Sequence, residues 1–218
     1  MINIHSMKAQ CINLLITGTA TCIEEHRELL TELDSKIGDA DHGINMLRGF
    51  QAILAISPEL SELNFGEALK KAGMTMLMKV GGASGPLYGS LLIGMSKATP
   101  QEEINLKEFV VMLEKGVDDV KKRGKSDVGE KTMLDVLVPV SLQLKEDANN
   151  IIDKEQLIKN IIIQAEKGLE ATRLMQATKG RASFLGERSI GHLDPGAMSI
   201  CLLIKTICNI INSHKECT

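Results

Sequence analysis

Tryptophan is missing from this 218-residue chain, and its aromatic residues amount to one Tyr and four Phe. Surfaces that stack nucleic-acid bases need several exposed rings, so a base-stacking platform is excluded. An excess of positive charge is missing as well. The 25 Lys and Arg stand against 28 Asp and Glu, a net charge of −3, and no basic face for nucleic acid is implied. The five cysteines (Cys11, Cys22, Cys201, Cys208, Cys217) form no Cys-x-x-Cys pair. Four of them lie in apolar stretches and read as small buried thiols in a reducing cytoplasm. No apolar core occupies residues 1–10, so no signal peptide is expected. The most apolar stretch, 197–211, is too short for a bilayer span and contains Lys205. β alternation of useful length is absent too. The expectation is one soluble, cytoplasmic domain over residues 1–218, with no membrane and no nucleic-acid partner. Its 44% hydrophobic content, including 11 Met, is enough for one flexible helical core.

What is present is helical periodicity. Apolar residues three and four apart mark eight segments. Ile12, Leu15, Ile16, Ala20 and Ile23 predict one long helix running towards Leu33. A second starts near Gly43 and ends before Pro58, and a third covers about 65–80. The fourth follows Gly85-Pro86, and the fifth holds Phe109, Val110, Leu113 and Val117. The sixth holds Met133, Leu134, Leu137 and Leu142, with Pro139 expected to kink it. The seventh carries Leu157, Ile158, Ile161 and Ala165, and the eighth Ile200, Leu203, Ile204 and Ile207. Mostly short connections predict an all-α bundle of eight antiparallel, up-and-down helices.

Chemistry concentrates in four connections. The first reads Asp-Ser-Lys-Ile-Gly-Asp-Ala-Asp-His-Gly-Ile-Asn over 34–45. Two carboxylates about 5 Å apart repel by roughly 3 kcal/mol at an effective dielectric near 20, so Asp34, Asp39 and Asp41 together seek a cation. Their hard oxygens suit Mg²⁺ or Ca²⁺ better than zinc. His42, Gly43, Ile44 and Asn45 then open the second helix, whose free amides favour an anion. The second connection is Gly-Gly-Ala-Ser-Gly-Pro over 81–86, where the backbone can approach a phosphate and Ser84 adds a hydroxyl. The third, 124–132, has glycines at P-loop spacing in Gly124 and Gly129. Glu130 holds the position a P-loop gives to Lys, and no strand precedes it, so the Walker reading is rejected. The fourth, 178–196, supplies Arg181, Arg188, His192 and Asp194. Arg181 or Arg188 could clamp phosphate oxygens, and Asp194 could cap the last helix or join a metal shell. In an up-and-down bundle the connections 1–2, 3–4, 5–6 and 7–8 all emerge at one end. A magnesium–nucleotide pocket is therefore expected there.

The strings Gly-Asp-Ala-Asp-His-Gly-Ile-Asn, Gly-Gly-Ala-Ser-Gly-Pro-Leu-Tyr-Gly, Gly-Glu-Lys-Thr-Met-Leu-Asp and Lys-Gly-Arg-Ala-Ser-Phe-Leu-Gly-Glu-Arg-Ser-Ile-Gly-His-Leu-Asp-Pro-Gly-Ala resemble those of the ADP-binding L subunits of bacterial, phosphotransferase-system-dependent dihydroxyacetone kinases. The resemblance implies a barrel of eight antiparallel helices. It implies that Asp34, Asp39 and Asp41 hold two Mg²⁺ ions and that His42, Gly43, Ile44 and Asn45 line ADP or ATP. Ala83 and Ser84 would contact phosphates, Gly124 and Met133 would border adenine, and Arg181 with Asp194, Pro195 and Gly196 would close the pocket. The implied activity is that of a phosphotransferase, the kinase subunit in phosphoenolpyruvate-dependent phosphorylation of dihydroxyacetone (glycerone). Retained ADP would be phosphorylated by a phosphohistidine subunit, and the γ-phosphoryl passed to dihydroxyacetone held on a partner subunit. No side chain of this chain is expected to act as a nucleophile, and a homodimer is left open. Two alternatives are an ATP-dependent triose or short-sugar kinase component with exchangeable nucleotide, and a non-catalytic magnesium–nucleotide sensor.

Overall fold

Helix boundaries follow the capping chemistry of the sequence. In the computed structural model, which describes residues 3–4, 9–100, 104–150 and 152–214, the Asn64 side chain accepts the amide of Glu67 and starts helix α5 (Phe65–Lys79). Asn105 and Glu108 form a reciprocal capping box at the start of α7 (Leu106–Gly124). Asp153 caps α9 (Lys154–Ala171), and Asp194 caps α10 (Pro195–Ser213), where Pro195 occupies the first turn. The remaining helices are α1 (Ala9–Glu25), α2 (Arg27–Ile37), α3 (His42–Ala55), α4 (Ser57–Ser61), α6 (Ser84–Lys97) and α8 (Leu134–Ala148). One short antiparallel pair, β1 (Asn3–Ile4) with β2 (Ile104–Asn105), is described besides.

The all-α bundle expected from periodicity is observed, but the described residues form ten α-helices and not eight. The first expected helix is broken at His26, whose ring nitrogen Nδ1 lies 2.8 Å from the Cys22 carbonyl oxygen. A side chain bonded to the backbone in this way competes with helix propagation. The second addition is α4, nucleated by Pro58 in its first turn. An eight-helix barrel is likewise corrected to a bundle, because its interior is one contiguous apolar cluster of side chains from nearly every helix. Pro139 lies within α8, as expected. It offers no amide to the Asp135 carbonyl, and α9 comes close there: a Cβ on Gly168 would stand 2.3 Å from that oxygen.

Neighbour contacts run from α1 to α3, α5, α6, α7, α8, α9 and α10, and α10 packs back on α1. The α5–α6 pair is tight, since a Cβ on Gly73 would lie 2.9 Å from the Gly89 carbonyl. The stretch judged too short for a bilayer span belongs to a helix of 19 residues, long and apolar enough by length and composition. In the bundle, however, it places Ala197, Ile200, Cys201, Leu203 and Cys208 in the core. Cys22, Cys201 and Cys208 are free and buried. Cys11 is disulfide-bonded, which corrects its reading as a thiol; Cys217 lies outside the described residues.

Candidate functional site: a polar cleft at one end of the bundle

The four connections singled out from the sequence meet around one cleft of about 520 Å³. Its acidic side comes from the turn between α2 and α3. Asp34, Asp39 and Asp41 each offer a carboxylate oxygen, and these oxygens lie within 4.8 Å of one another. Asp34 is 8% exposed. Its Oδ2 accepts the amides of Asp41 (2.9 Å) and His42 (3.1 Å), so the start of α3 fixes its orientation. A Cβ on Gly38 would lie 2.0 Å from Asp34 Oδ1, which is why glycine stands where the chain passes the carboxylate. Ala40 adopts a left-handed φ of 61°, the local strain that aims Asp39 and Asp41 at the cleft. The more exposed Asp39 pairs through Oδ2 with Arg181 Nε at 2.8 Å, joining the first connection to the fourth. Three hard-oxygen donors at this spacing fit Mg²⁺.

Four helices begin around the same cleft, α3 directly beside the carboxylates. The N-termini of α3, α6, α8 and α10 contribute His42, Ser84, Leu134 and Pro195 to the cleft wall. Each helix start carries partial positive charge, and the α6 start has no side-chain cap. The amides at the start of α3 are taken by Asp34 and that of Ala197 in α10 by Asp194, so the uncapped start of α6 is the one left open to an anion.

A buried hydroxyl chain supports this floor. The Ser199 hydroxyl donates to the Gly196 carbonyl at 3.0 Å. Its lone pairs then accept the Tyr88 hydroxyl at 2.8 Å and His42 Nε2–H at 2.9 Å. That leaves His42 Nδ1 to accept the Ser84 hydroxyl at 3.0 Å. The ring is neutral in this arrangement, in keeping with burial pulling its pKa down. Burial pushes the Tyr88 pKa up.

The third connection is organised by Asp135, whose Oδ1 accepts Gly129 N–H (2.6 Å) and whose Oδ2 accepts Thr132 N–H (2.7 Å). Lys131, between them, has a left-handed φ of 60° and is 1% exposed. Its ammonium donates to the carbonyls of Thr172 and His192. The fourth connection, expected as an irregular loop, contains a 3₁₀ stretch over Arg181–Ser189 interrupted at Gly186, whose φ is 56°. Asp194 accepts Ala197 N–H at 2.7 Å, and burial raises its carboxyl pKa to about 7.

The cleft wall therefore contains Asp34, Asp39, Asp41, His42, Ala83, Ser84, Gly124, Met133, Arg181, Asp194, Pro195 and Gly196. Three expected residues lie outside it. Gly43 packs against α2, where a Cβ would stand 2.2 Å from the Arg27 carbonyl. Ile44 is exposed, and Asn45 is buried with its side-chain amide beside Gly81 and Gly82. Sequence reasoning missed Tyr88 and Lys131, which line the cleft, and Ser199 beneath it. Tyr88 stands in the Gly-Gly-Ala-Ser-Gly-Pro-Leu-Tyr-Gly string without a role assigned to it, and Ser199 sits in an apolar helical stretch with no distinguishing pattern. The signal for Lys131 is its place in the Gly-Glu-Lys-Thr string, which reads as a failed P-loop and as part of the family resemblance without a role for the lysine.

The fold and cleft define a DAK2-domain protein, and the model of that family, described as DAK2 domain, matches residues 36–209. The chain belongs to this family and, within it, to the ADP-binding L-type subunits of dihydroxyacetone kinases that depend on phosphoenolpyruvate or the phosphotransferase system. It is 47% identical over 181 residues to the ADP-binding subunit DhaL of PEP-dependent dihydroxyacetone kinase 1 from Listeria innocua, covering 83% of this chain and 86% of the relative. It is 42% identical over 201 residues to the corresponding subunit from Escherichia coli, covering 92% and 95%. A crystal structure of the dihydroxyacetone kinase from C. freundii, in complex with AMP-PNP and Mg²⁺, has the same fold. The TM-score is 0.75 at 21% identity, with 96% of this chain and 35% of that one covered. These findings correct one expectation. The expectation of a phosphotransferase in its own right is overturned, because the relatives are named as the ADP-binding subunits of the kinase and not as the kinase itself.

Proposed function

We propose that this chain, as one nucleotide-binding unit over residues 1–218, holds ADP or ATP with Mg²⁺ for a dihydroxyacetone kinase assembled from separate subunits. The observation that carries the proposal is the meeting of three carboxylates and four helix N-termini, that of α6 uncapped, in the wall of one cleft. Asp34, Asp39 and Asp41 would hold the metal, with Asp34 kept in place by the amides of Asp41 and His42. The resemblance implies two Mg²⁺ ions, and the number is settled by metal analysis of the loaded protein. Bound magnesium nucleotide supplies a transferable phosphoryl group whose charge the metal screens. The start of α6 presents uncapped amides to phosphate, while the Ser84 hydroxyl is committed to His42. Met133 and Gly124 form the apolar side suited to adenine. Arg181 is placed to exchange its carboxylate partner Asp39 for a phosphate oxygen.

The partners follow from the same reading: a subunit that holds dihydroxyacetone and a phosphohistidine subunit that recharges the nucleotide. A second reading, exchangeable ATP, is favoured by the fold shared with a kinase crystallised with AMP-PNP and Mg²⁺. Reconstitution separates the two. Mixed with both partner subunits, the chain should support dihydroxyacetone phosphate formation from phosphoenolpyruvate without free ATP. Turnover only with added millimolar ATP would favour the exchangeable reading, and no dependence on this chain would refute both.

A further inference from the structure

Lys131 is buried with no reaction to perform and no direct carboxylate contact among its hydrogen bonds. Its ammonium donates to two backbone carbonyls, Thr172 and His192, which lie in the turn after α9 and in the connection leading to α10. Taking an ammonium out of water is costly, and a methionine would fill a similar volume without that cost. What the ammonium adds is a tie from the 129–132 turn to both of the other segments, which are themselves joined where the Gly191 amide donates to the Arg173 carbonyl at 2.8 Å. The groups facing it are Asp194 and Asp135, which attract it, and Arg173, which repels it. The link continues outward: the Thr172 hydroxyl donates to the Leu169 carbonyl (2.7 Å) and accepts the amide of Asp194 (3.1 Å). Asp194 then caps α10 and begins the Asp194–Pro195–Gly196 wall of the cleft. The left-handed backbone at Lys131 turns its side chain into this position.

We infer that Lys131 is a positioning residue of the cleft, its ammonium pinning Thr172 and His192 so that the Asp194–Pro195–Gly196 wall stays closed on the ligand. This rests on the nucleotide reading above. Its consequence is kinetic, because a wall held by a buried cross-link slows ligand release.

The test is the release rate of a fluorescent ADP analogue, chased with excess ADP in Mg²⁺, for wild type, Lys131→Met and Thr172→Val. Lys131→Met should release the analogue at least tenfold faster. Amide exchange should accelerate over 189–196 and stay unchanged in α5, a local pattern that general loss of stability does not produce. Thr172→Val keeps Lys131 but removes the hydroxyl used by Asp194, and should release about threefold faster. A folded Lys131→Met that releases within twofold of wild type overturns the inference. If Lys131→Met does not fold, the Thr172→Val rate decides, and an unchanged rate overturns it. Wild type that fails to bind the analogue in Mg²⁺ overturns the nucleotide reading, and this inference with it. Binding by wild type with unaltered release from the variants overturns only the inference.

Discussion

Asp39→Ala separates ligand binding from folding, because Asp39 contributes little to the fold. It is 39% exposed and pairs with the exposed Arg181. Pairs of that kind are worth about 0–1 kcal/mol. Against this stands repulsion from Asp34 and Asp41, whose oxygens lie within 4.8 Å. At that distance two unit charges repel by about 1 kcal/mol in a water-like dielectric and about 3 kcal/mol at an effective value near 20. Exposure places Asp39 towards the lower figure. Removing it deletes two repulsions and one weak attraction. Without nucleotide or metal, stability should therefore be higher by about 1–2 kcal/mol. Wild type with Mg²⁺–ADP at about a hundredfold its Kd should gain roughly 2.7 kcal/mol. For a chain of this size that is an upward shift in Tm of about 5–10 °C. Asp39→Ala should show less than a quarter of that shift. Far-UV circular dichroism melts of both proteins, with EDTA, with Mg²⁺ and with Mg²⁺–ADP, provide the measurement. A variant that keeps the full ligand shift refutes the metal-bridge argument. One that is strongly destabilised in EDTA refutes the placement of Asp39 outside the folding framework.

Three further outcomes are expected. Asp34→Asn should lose the ligand shift and also melt lower in EDTA, since the carboxylate accepts two backbone amides at 2.9 and 3.1 Å and bonds to charged acceptors contribute about 1.5–3 kcal/mol each; equal melts in EDTA would contradict this. Tyr88→Phe should cost about 1 kcal/mol by removing the bond to Ser199, measured by urea denaturation, with no loss as the contrary result. Asp194 has a folded pKa raised from 3.8 to about 7, so its protonated form is favoured by folding. Its contribution is fully present below about pH 4 and lost as pH rises through about 7. Asp194→Asn should flatten that decline in nucleotide-free stability, and an unaltered pH profile would contradict the assignment.

How much of this was legible in the sequence depended on repetition. Apolar spacing repeats along every long helix, so α5 to α10 could be read from it. Connection parity then placed four sequence-distant loops at one end, and the cleft is where they meet. The break at His26 was illegible because it depends on one ring nitrogen reaching back to the Cys22 carbonyl. Helix α4 was illegible because five residues are too few for a periodic signal. Asp34, Asp39 and Asp41 were legible as a charge cluster that needs a reason. Lys131, Tyr88 and Ser199 were not. A lysine in a charged loop reads as solvated until its burial is seen, and a serine on an apolar helix shows no partner until the fold brings Tyr88 and His42 to it. Gly43 and Ile44 show that a motif gives chain position but not orientation: Gly43 packs on α2 and Ile44 is exposed, while the Asn45 amide lies beside Gly82 of the cleft wall.

The most direct measurement of the central claim is the nucleotide content of the protein purified without added nucleotide in Mg²⁺ buffer, by acid extraction and anion-exchange chromatography. The expected result is about one ADP per chain, released when EDTA strips the metal from Asp34, Asp39 and Asp41. A chain that carries no nucleotide, and takes none up from millimolar ADP and Mg²⁺, would contradict the account.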